Sequence, residues 1–378
     1  MSLKQTLSRH WFTFQRELFP RLEEALGPLG ERYQRLVRVL ELVRVEELLP
    51  YQRGWRGRPL EDRAALARAF LAKAILDIAT TRGLVERLRN EATLRRLCGW
   101  EKAESVPSEA TFSRAFGEFA KGDLPGRLHE ALLEKTLEGH LAGHVSRDST
   151  AIAGREKPVL KTPPAAKPKR RVGRPRKGEQ RPKELSRLER QGSMTLEEML
   201  EELPTACDIG VKSTGKGYLA RWTGYKLHLD AIDGGIPISC LLTSASVHDS
   251  QAAIPLATLT ARRVTSLYDL MDSAYDAPEI RAFSRKLGHV PIIDTNPRKR
   301  PELKAERKRE ALAERCIGHR SPEARRYRER TTVERVNGRL KEEFGGRHVR
   351  VRGPGKVMCH LMFGILALTV EQLMRLIL

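Results

Sequence analysis

The sequence predicts an α/β protein in which an all-helical N-terminal domain precedes a mixed-sheet core. Three observations carry this. Apolar residues recur at helical spacing up to about residue 140, as in Leu66, Phe70, Leu71 and Ile75. From His144 the pattern changes to short apolar or alternating runs separated by turn residues. The second half then alternates strand-like and helix-like stretches, as a layered α/β core does.

In the N-terminal part, Leu60 to Ile78 reads as a helix, and Leu84, Leu88 and Leu94 continue the spacing. Gly99 and Val106-Pro107 interrupt it. Ser108 is then a good N-cap for a helix through Phe119. Short helices with tight turns suit a helix-turn-helix arrangement that presents Ser108, Thr111, Ser113 and Arg114 to DNA. A helical bundle used for dimer contacts fits the same pattern equally well.

Val145 to Ile152 is the first strand. Trp222 to Ile232 alternates, with Tyr225, Leu227 and Leu229 on one face and Lys226, His228 and Asp230 on the other. Asp233-Gly234-Gly235 turns it into Ile236 to Leu242. Asp249 caps a helix through Arg262, Leu267 to Met271 is a buried strand, and Pro278 to Leu287 is a helix. Val290 to Asp294 is another strand and Pro322 to Phe344 a long helix. That order is the order of a ribonuclease-H-like mixed sheet. The core would occupy residues 141–378, interrupted at about 153–217.

The interruption opens with Lys167-Pro168-Lys169-Arg170-Arg171 and Gly173-Arg174-Pro175-Arg176-Lys177, which offer little to a core. Arg174 and Arg176 flank a proline as in a minor-groove AT-hook, although Val172 stands where an arginine is usual. A solvated linker with generic phosphate affinity is the plainer reading. Leu196 to Leu203 suits one short amphipathic helix.

A formal net charge of +21 over 378 residues favours a polyanionic partner. Charge alone carries no specificity, and a ribosome-associated or merely basic housekeeping protein is the lesser alternative. The five cysteines are scattered, with no CxxC spacing, so neither a zinc site nor a disulfide framework is supported. A reducing cytoplasmic setting follows, and no signal peptide is evident. The apolar run Leu361 to Val370 is only about half a membrane span and reads as a buried helix, so no membrane partner is expected.

On the long helix, Tyr327, Arg330, Glu334 and Lys341 stand at successive offsets of three, four and seven residues. At about 100° per residue they share roughly a 60° sector. Glu334 could hold a metal there while Arg330 and Lys341 contact phosphate oxygens. An ordinary i,i+4 pair between Arg330 and Glu334 would produce the same pattern. Asp148 lies inside the first strand and Asp272 closes a buried one, positions where a carboxylate is costly unless paired or bound to a cation. Asp269 and Asp276 compete with Asp272. Two such aspartates and a glutamate on a packing helix can converge at the sheet edge. Their hard oxygens suit Mg²⁺ or Mn²⁺, and two ions about 4 Å apart can drive an in-line displacement.

These residues carry a resemblance. Tyr327, Arg330, Glu334 and Lys341 reproduce the Y-(2)-R-(3)-E-(6)-K signature of bacterial insertion-sequence DDE transposases, all spacings intact. Asp272-Ser273-Ala274-Tyr275-Asp276 is similar to the family's second-aspartate motif, with Ala274 in place of glycine. Arg147-Asp148-Ser149-Thr150 resembles its first-aspartate strand. Gly224-Tyr225-Lys226-Leu227-His228 and Ser246-Val247-His248-Asp249 resemble its hairpin and the following helix start. The resemblance implies that Asp148, Asp272 and Glu334 ligate metal and that Tyr327, Arg330 and Lys341 contact the DNA backbone. It also implies a homodimer on double-stranded DNA, which would be the terminal inverted repeats and the target. A nuclease of the same fold and a DNA-binding protein that has lost its chemistry are the alternatives.

Overall fold

A computed structural model describes residues 3–49, 61–160, 185–213, 218–295 and 301–377. Eight helices come first: α1 (Leu3–Thr13), α2 (Phe19–Leu26), α3 (Glu31–Val43), α4 (Arg63–Ile75), α5 (Thr81–Asn90), α6 (Ala92–Cys98), α7 (Glu109–Lys121) and α8 (Leu124–Leu137). Local chemistry starts them as expected. The Asp62 carboxylate accepts from the Ala64 and Ala65 amides, and the Ser108 hydroxyl accepts from the Thr111 amide, so two helix starts lose orphan donors. Every residue of α4 from Ala64 to Ile75 except Arg68 is buried, which explains its run of alanines: close helix neighbours leave no room for larger side chains.

The sheet begins with β1 (Leu141–Ala153). Two short helices, α9 (Arg187–Gln191) and α10 (Leu196–Glu202), precede β2 (Asp208–Ser213), β3 (Leu219–Ile232) and β4 (Ile236–Ser244). Then come α11 (Ser250–Ala261), β5 (Thr265–Met271), α12 (Pro278–Lys286), β6 (Val290–Ile293), α13 (Pro301–Ile317), α14 (Pro322–Tyr327), α15 (Thr331–Glu343) and α16 (Pro354–Arg375). β1 runs antiparallel to β3 and parallel to β5, and β5 is parallel to β6. On its other edge β3 pairs with β4 along Tyr225–Ile232 and with β2 along its first residues. Four antiparallel strands extended by two parallel ones, with helices on both faces, make this a ribonuclease-H-like core.

Two glycines are required by this geometry. Gly224 has φ 150°, and a Cβ there would lie 2.2 Å from the Ile152 carbonyl oxygen, so β3 meets β1 where only a hydrogen fits. Gly234 and Gly235, at φ 78° and 73°, make the turn into β4.

The structure departs from the sequence reading in four places. Residues read as one helix from Pro322 to Phe344 form α14, a 3₁₀ turn over Arg328–Arg330, and α15. Asp249 makes no side-chain cap for α11, because its carboxylate instead accepts from the Lys226 ammonium at 2.8 Å. The segment read as an insertion contributes α9 and β2 as well as the expected short helix. α13 was not foreseen, since it buries no residue and its sequence shows no apolar stripe. Arg174 and Arg176 lie outside the described residues.

The C-terminal apolar run is a buried helix. α16 is long and apolar enough to cross a membrane, yet 83% of its most apolar window is buried. It packs against α3, α4, α7, α8 and β4, so one apolar core runs from Leu7 and Phe70 through Leu366 to Leu229. Within it His129 donates or accepts at 3.1 Å with the Thr369 hydroxyl, and burial pushes its pKa down to about 3.

A histidine held neutral in the fold and free to charge when unfolded removes stability as pH falls below its unfolded value near 6.5. Denaturant unfolding of the wild type between pH 7 and pH 5 should therefore show falling stability, with His129→Gln taking up one proton fewer on unfolding at pH 5. Equal pH slopes for the two proteins would contradict a neutral His129.

Candidate active site

The register of β1 against β5 builds the site. Val145 pairs with Asp269 and Arg147 with Met271, so the next residues, Asp148 and Asp272, stand side by side where β5 ends. Residues in register on neighbouring strands share a face, about 4.8 Å apart. That face is covered by α15, which inserts Val333, Val336 and Leu340 against β1 and β3. The Ser146 hydroxyl, two residues before Asp148, donates to the Glu329 carbonyl at 3.0 Å and ties the 3₁₀ turn to the same face.

The opposite face explains why β1 tolerates charge. Arg147 points there and is 2% exposed. Its Nε and Nη2 donate to the two Asp230 carboxylate oxygens at 2.8 and 2.6 Å, and Thr260 of α11 donates to Asp230 at 2.7 Å. His228 on β3 bonds the Thr243 hydroxyl at 2.9 Å. The alternation along β3 thus separates two buried faces rather than a buried and a wet one, because α11 covers the second.

Electrostatics distinguish the two candidate aspartates from their neighbours. Burial pushes Asp148 up to about 6, with the Asp272 charge adding to it while Arg330 and Lys212 oppose it. Asp272 is raised too, first by burial and then by Asp249, against its bond from the Ala274 amide and the Arg330 and Lys212 charges. Its Oδ1 accepts from that amide at 2.9 Å. Among the described residues neither aspartate has an ion-pair partner. The two competitors do: Asp269 is buried against His289 and the Ser284 hydroxyl, and Asp276 pairs with Arg281 at 3.0 Å.

Glu334 lies in the first turn of α15 with its side chain half exposed, and Arg330 donates to it at 2.7 Å. The i,i+4 ion pair that the spacing allowed is therefore present. The Arg330 guanidinium lies 5.6 Å from the centre of the Tyr327 ring. Burial disfavours the Arg330 cation, but Tyr327, Glu334 and Asp148 raise its pKa on balance. Lys341, two turns further along α15, is depressed by burial and by Lys212 and Arg347, with Asp148 opposing. The fold thus gathers Asp148, Asp272, Tyr327, Arg330, Glu334 and Lys341 around one edge. Among the described residues no three acidic, histidine or cysteine side chains stand close enough to share an ion.

The donor set still fits a hard divalent cation. Two unpaired, mutually repelling carboxylates at a strand edge supply oxygens and negative charge, the chemistry such ions select. Thr111 and Arg114 lie elsewhere, on α7, bonded to each other at 3.4 Å.

Sequence reasoning missed Asn337 and Lys212. Asn337 donates toward the Asp148 Oδ2 at 3.5 Å, and its place three residues after Glu334 on α15 was a usable signal. Lys212 sits on a strand hidden inside a segment read as an insertion, with nothing in its surroundings to mark it.

Residues 202–370 match a family model described as Transposase DDE domain, and residues 21–118 match one described as Transposase domain (DUF772). Asp272 and Glu334 fall within the first match, and Asp148 lies between the two. No curated protein and no solved structure matches the chain.

Arg147→Met should leave the Asp230 carboxylate buried without a cation, a loss of about 3–5 kcal/mol. Replacing both residues, Arg147→Met with Asp230→Leu, should recover most of it. Urea unfolding midpoints measure both variants, and an undisturbed Arg147→Met would remove the pair as the anchor of β1.

Proposed function

Because the chain belongs to the insertion-sequence DDE transposases, we propose that it cuts DNA at the ends of its own element and joins them to target DNA. Asp148, Asp272 and Glu334 are the proposed metal ligands, and Mg²⁺ or Mn²⁺, as two ions, the proposed cofactor. The observation that carries the reading is the adjacent placement of two carboxylates without ion-pair partners, one on β1 and one just past the end of β5, beneath the helix that carries Glu334. Bound there, divalent ions supply a nucleophilic oxygen at neutral pH and stabilise the leaving oxygen.

The chain's own residues do the rest. Asp148 is fixed by its pairing with Leu229, and Asp272 by following the last paired residue of β5 and by its bond from the Ala274 amide, so their oxygens need little reorganisation. Asn337 orients the Asp148 carboxylate. Arg330 is the shared element. Its guanidinium pairs with Glu334 at present, and a scissile phosphate is the stronger, bidentate partner. When Arg330 turns to the phosphate, Glu334 is released to face the two aspartates, so DNA and metal binding reinforce each other. Tyr327 and Lys341 flank Arg330 and hold the backbone on either side. Hydrolysis frees a 3′-hydroxyl, which then attacks target DNA. The working form is a homodimer assembled on terminal inverted repeats.

A duplex carrying the element's end tests this. Nicking should require Mg²⁺ or Mn²⁺ and stop with chelator. Asp148→Asn, Asp272→Asn and Glu334→Gln should each reduce it by roughly 10³-fold or more, with DNA binding retained. Asn337→Ala should cost about 10- to 100-fold, as loss of a ligand's supporting hydrogen bond does. Full nicking by Glu334→Gln would remove that residue from the ligand set.

A further inference from the structure

A second cationic feature lies outside the carboxylate edge. Between α4, α7 and the start of α16 is a cavity of about 390 Å³ whose lining includes Lys73, Arg155, Arg350, Arg352 and Lys356, with Glu109 as its single carboxylate. A neighbouring groove shares Ser113, Arg352 and Lys356 and continues to Arg114 and Lys121.

Lys73 is the unusual member. It is 8% exposed, and among the described residues its ammonium has neither a hydrogen bond nor an ion pair. Its stem is buried while its ammonium opens on the cavity, so the charge has already lost much of its water and would gain from an anion there. Burial lowers its pKa to about 8, with Asp77 only partly opposing. The lining is held in place from the site's own strand. Glu156, just beyond β1, accepts from the Gly353 amide at 3.0 Å, and Arg155 donates to the Arg350 carbonyl at 3.4 Å.

We propose that this cavity binds a phosphodiester of the same DNA strand whose scissile bond reaches Asp148 and Asp272, a reading that rests on the proposed function. Three features favour duplex backbone over another anion. The cations are several and the acid is one, which is the footprint of a polyphosphate track rather than of a single carboxylate ligand. Lys212 and Arg347 are close enough to depress Lys341, so positive charge begins at the carboxylate edge, and Arg347 leads in sequence to Arg350 and Arg352. β1 spans the interval. At about 3.3 Å per residue, Ala153 lies roughly 16 Å beyond Asp148, close to five nucleotide steps of about 3.4 Å.

The test is DNA binding without metal, by fluorescence anisotropy over a salt series, using the full chain and an end-containing duplex. Lys73→Met should lower the slope of log K against log salt by about one, and Arg352→Ala with Lys356→Ala by about two, since each lost phosphate contact removes about 0.9. Arg285→Ala with Lys286→Ala, at two exposed positions of α12, should leave the slope unchanged. Lys73→Met should keep or raise the thermal midpoint, which separates lost binding from lost folding. Unchanged slopes in both groove variants would overturn the proposal. So would protection of the wild type by inorganic phosphate through Lys73 with DNA slopes unaltered, which would make the cavity a small-anion site. Because metal is absent, a groove that behaves as expected in a protein that never nicks DNA would sink the catalytic reading alone.

Discussion

The parallel pairing of β1 with β5 is the constraint on which the site depends. Its register sets Arg147 beside Met271, and everything at the edge follows from the next step along both strands. Asp148 and Asp272 become neighbours without any loop having to be ordered. Their closeness is unfavourable in itself, since the Asp272 charge adds to the burial that raises Asp148, and is tolerated because the backbone leaves no alternative. Strain of this kind is kept where surrounding structure over-determines it.

What over-determines it is the buried pair on the reverse face. A slip of one residue along β1 would exchange Arg147 and Asp148 between faces. The arginine would then lie under the apolar side chains of α15, and Asp230 would lose both of its guanidinium bonds. Such a pair adds little net stability compared with an apolar core. Its effect here is on register, since only one alignment satisfies both faces. The same logic covers β3, where Gly224 admits β1 at a distance closed to any side chain.

Much of this was legible in the sequence because the signals were local and strong. The Asp-Gly-Gly turn, the Ser108 cap and the alternation of Tyr225, Leu227 and Leu229 each depend on a few adjacent residues, and each element stands within a few positions of its expected bounds. The sequence reading prefers Asp272 to Asp269 and Asp276 for its place at a strand end, and in the structure the other two carry ion pairs. Long-range facts were not legible. That Lys226, His228 and Asp230 are covered depends on α11 folding back over β3, which alternation alone cannot disclose. β2 was hidden because it is short, lies in a segment that opens with a Lys- and Pro-rich stretch, and leaves Ile209 and Val211 about half exposed. The break between α14 and α15 escaped because residues 328–330 keep helical backbone angles and only their hydrogen bonding changes.

The last constraint is α16. A helix this apolar could stand alone as the core of one domain, yet it faces α3, α4, α7 and α8 on one side and β4 on another. Phe363 stacks with Phe70 at 5.7 Å, while Met362 meets Cys240 of β4 at 3.2 Å. Consecutive residues of one helix therefore touch the helical layer and the sheet. Separating the two would expose Leu361, Met362, Phe363, Ile365 and Leu366 together, each on the order of 1.5–3 kcal/mol of burial. Helices that come first in the chain are thus bound to the carboxylate edge by the residues that come last. Their relative position is set by packing rather than by a linker, so cations on α4 and α7 keep a fixed distance from Asp148.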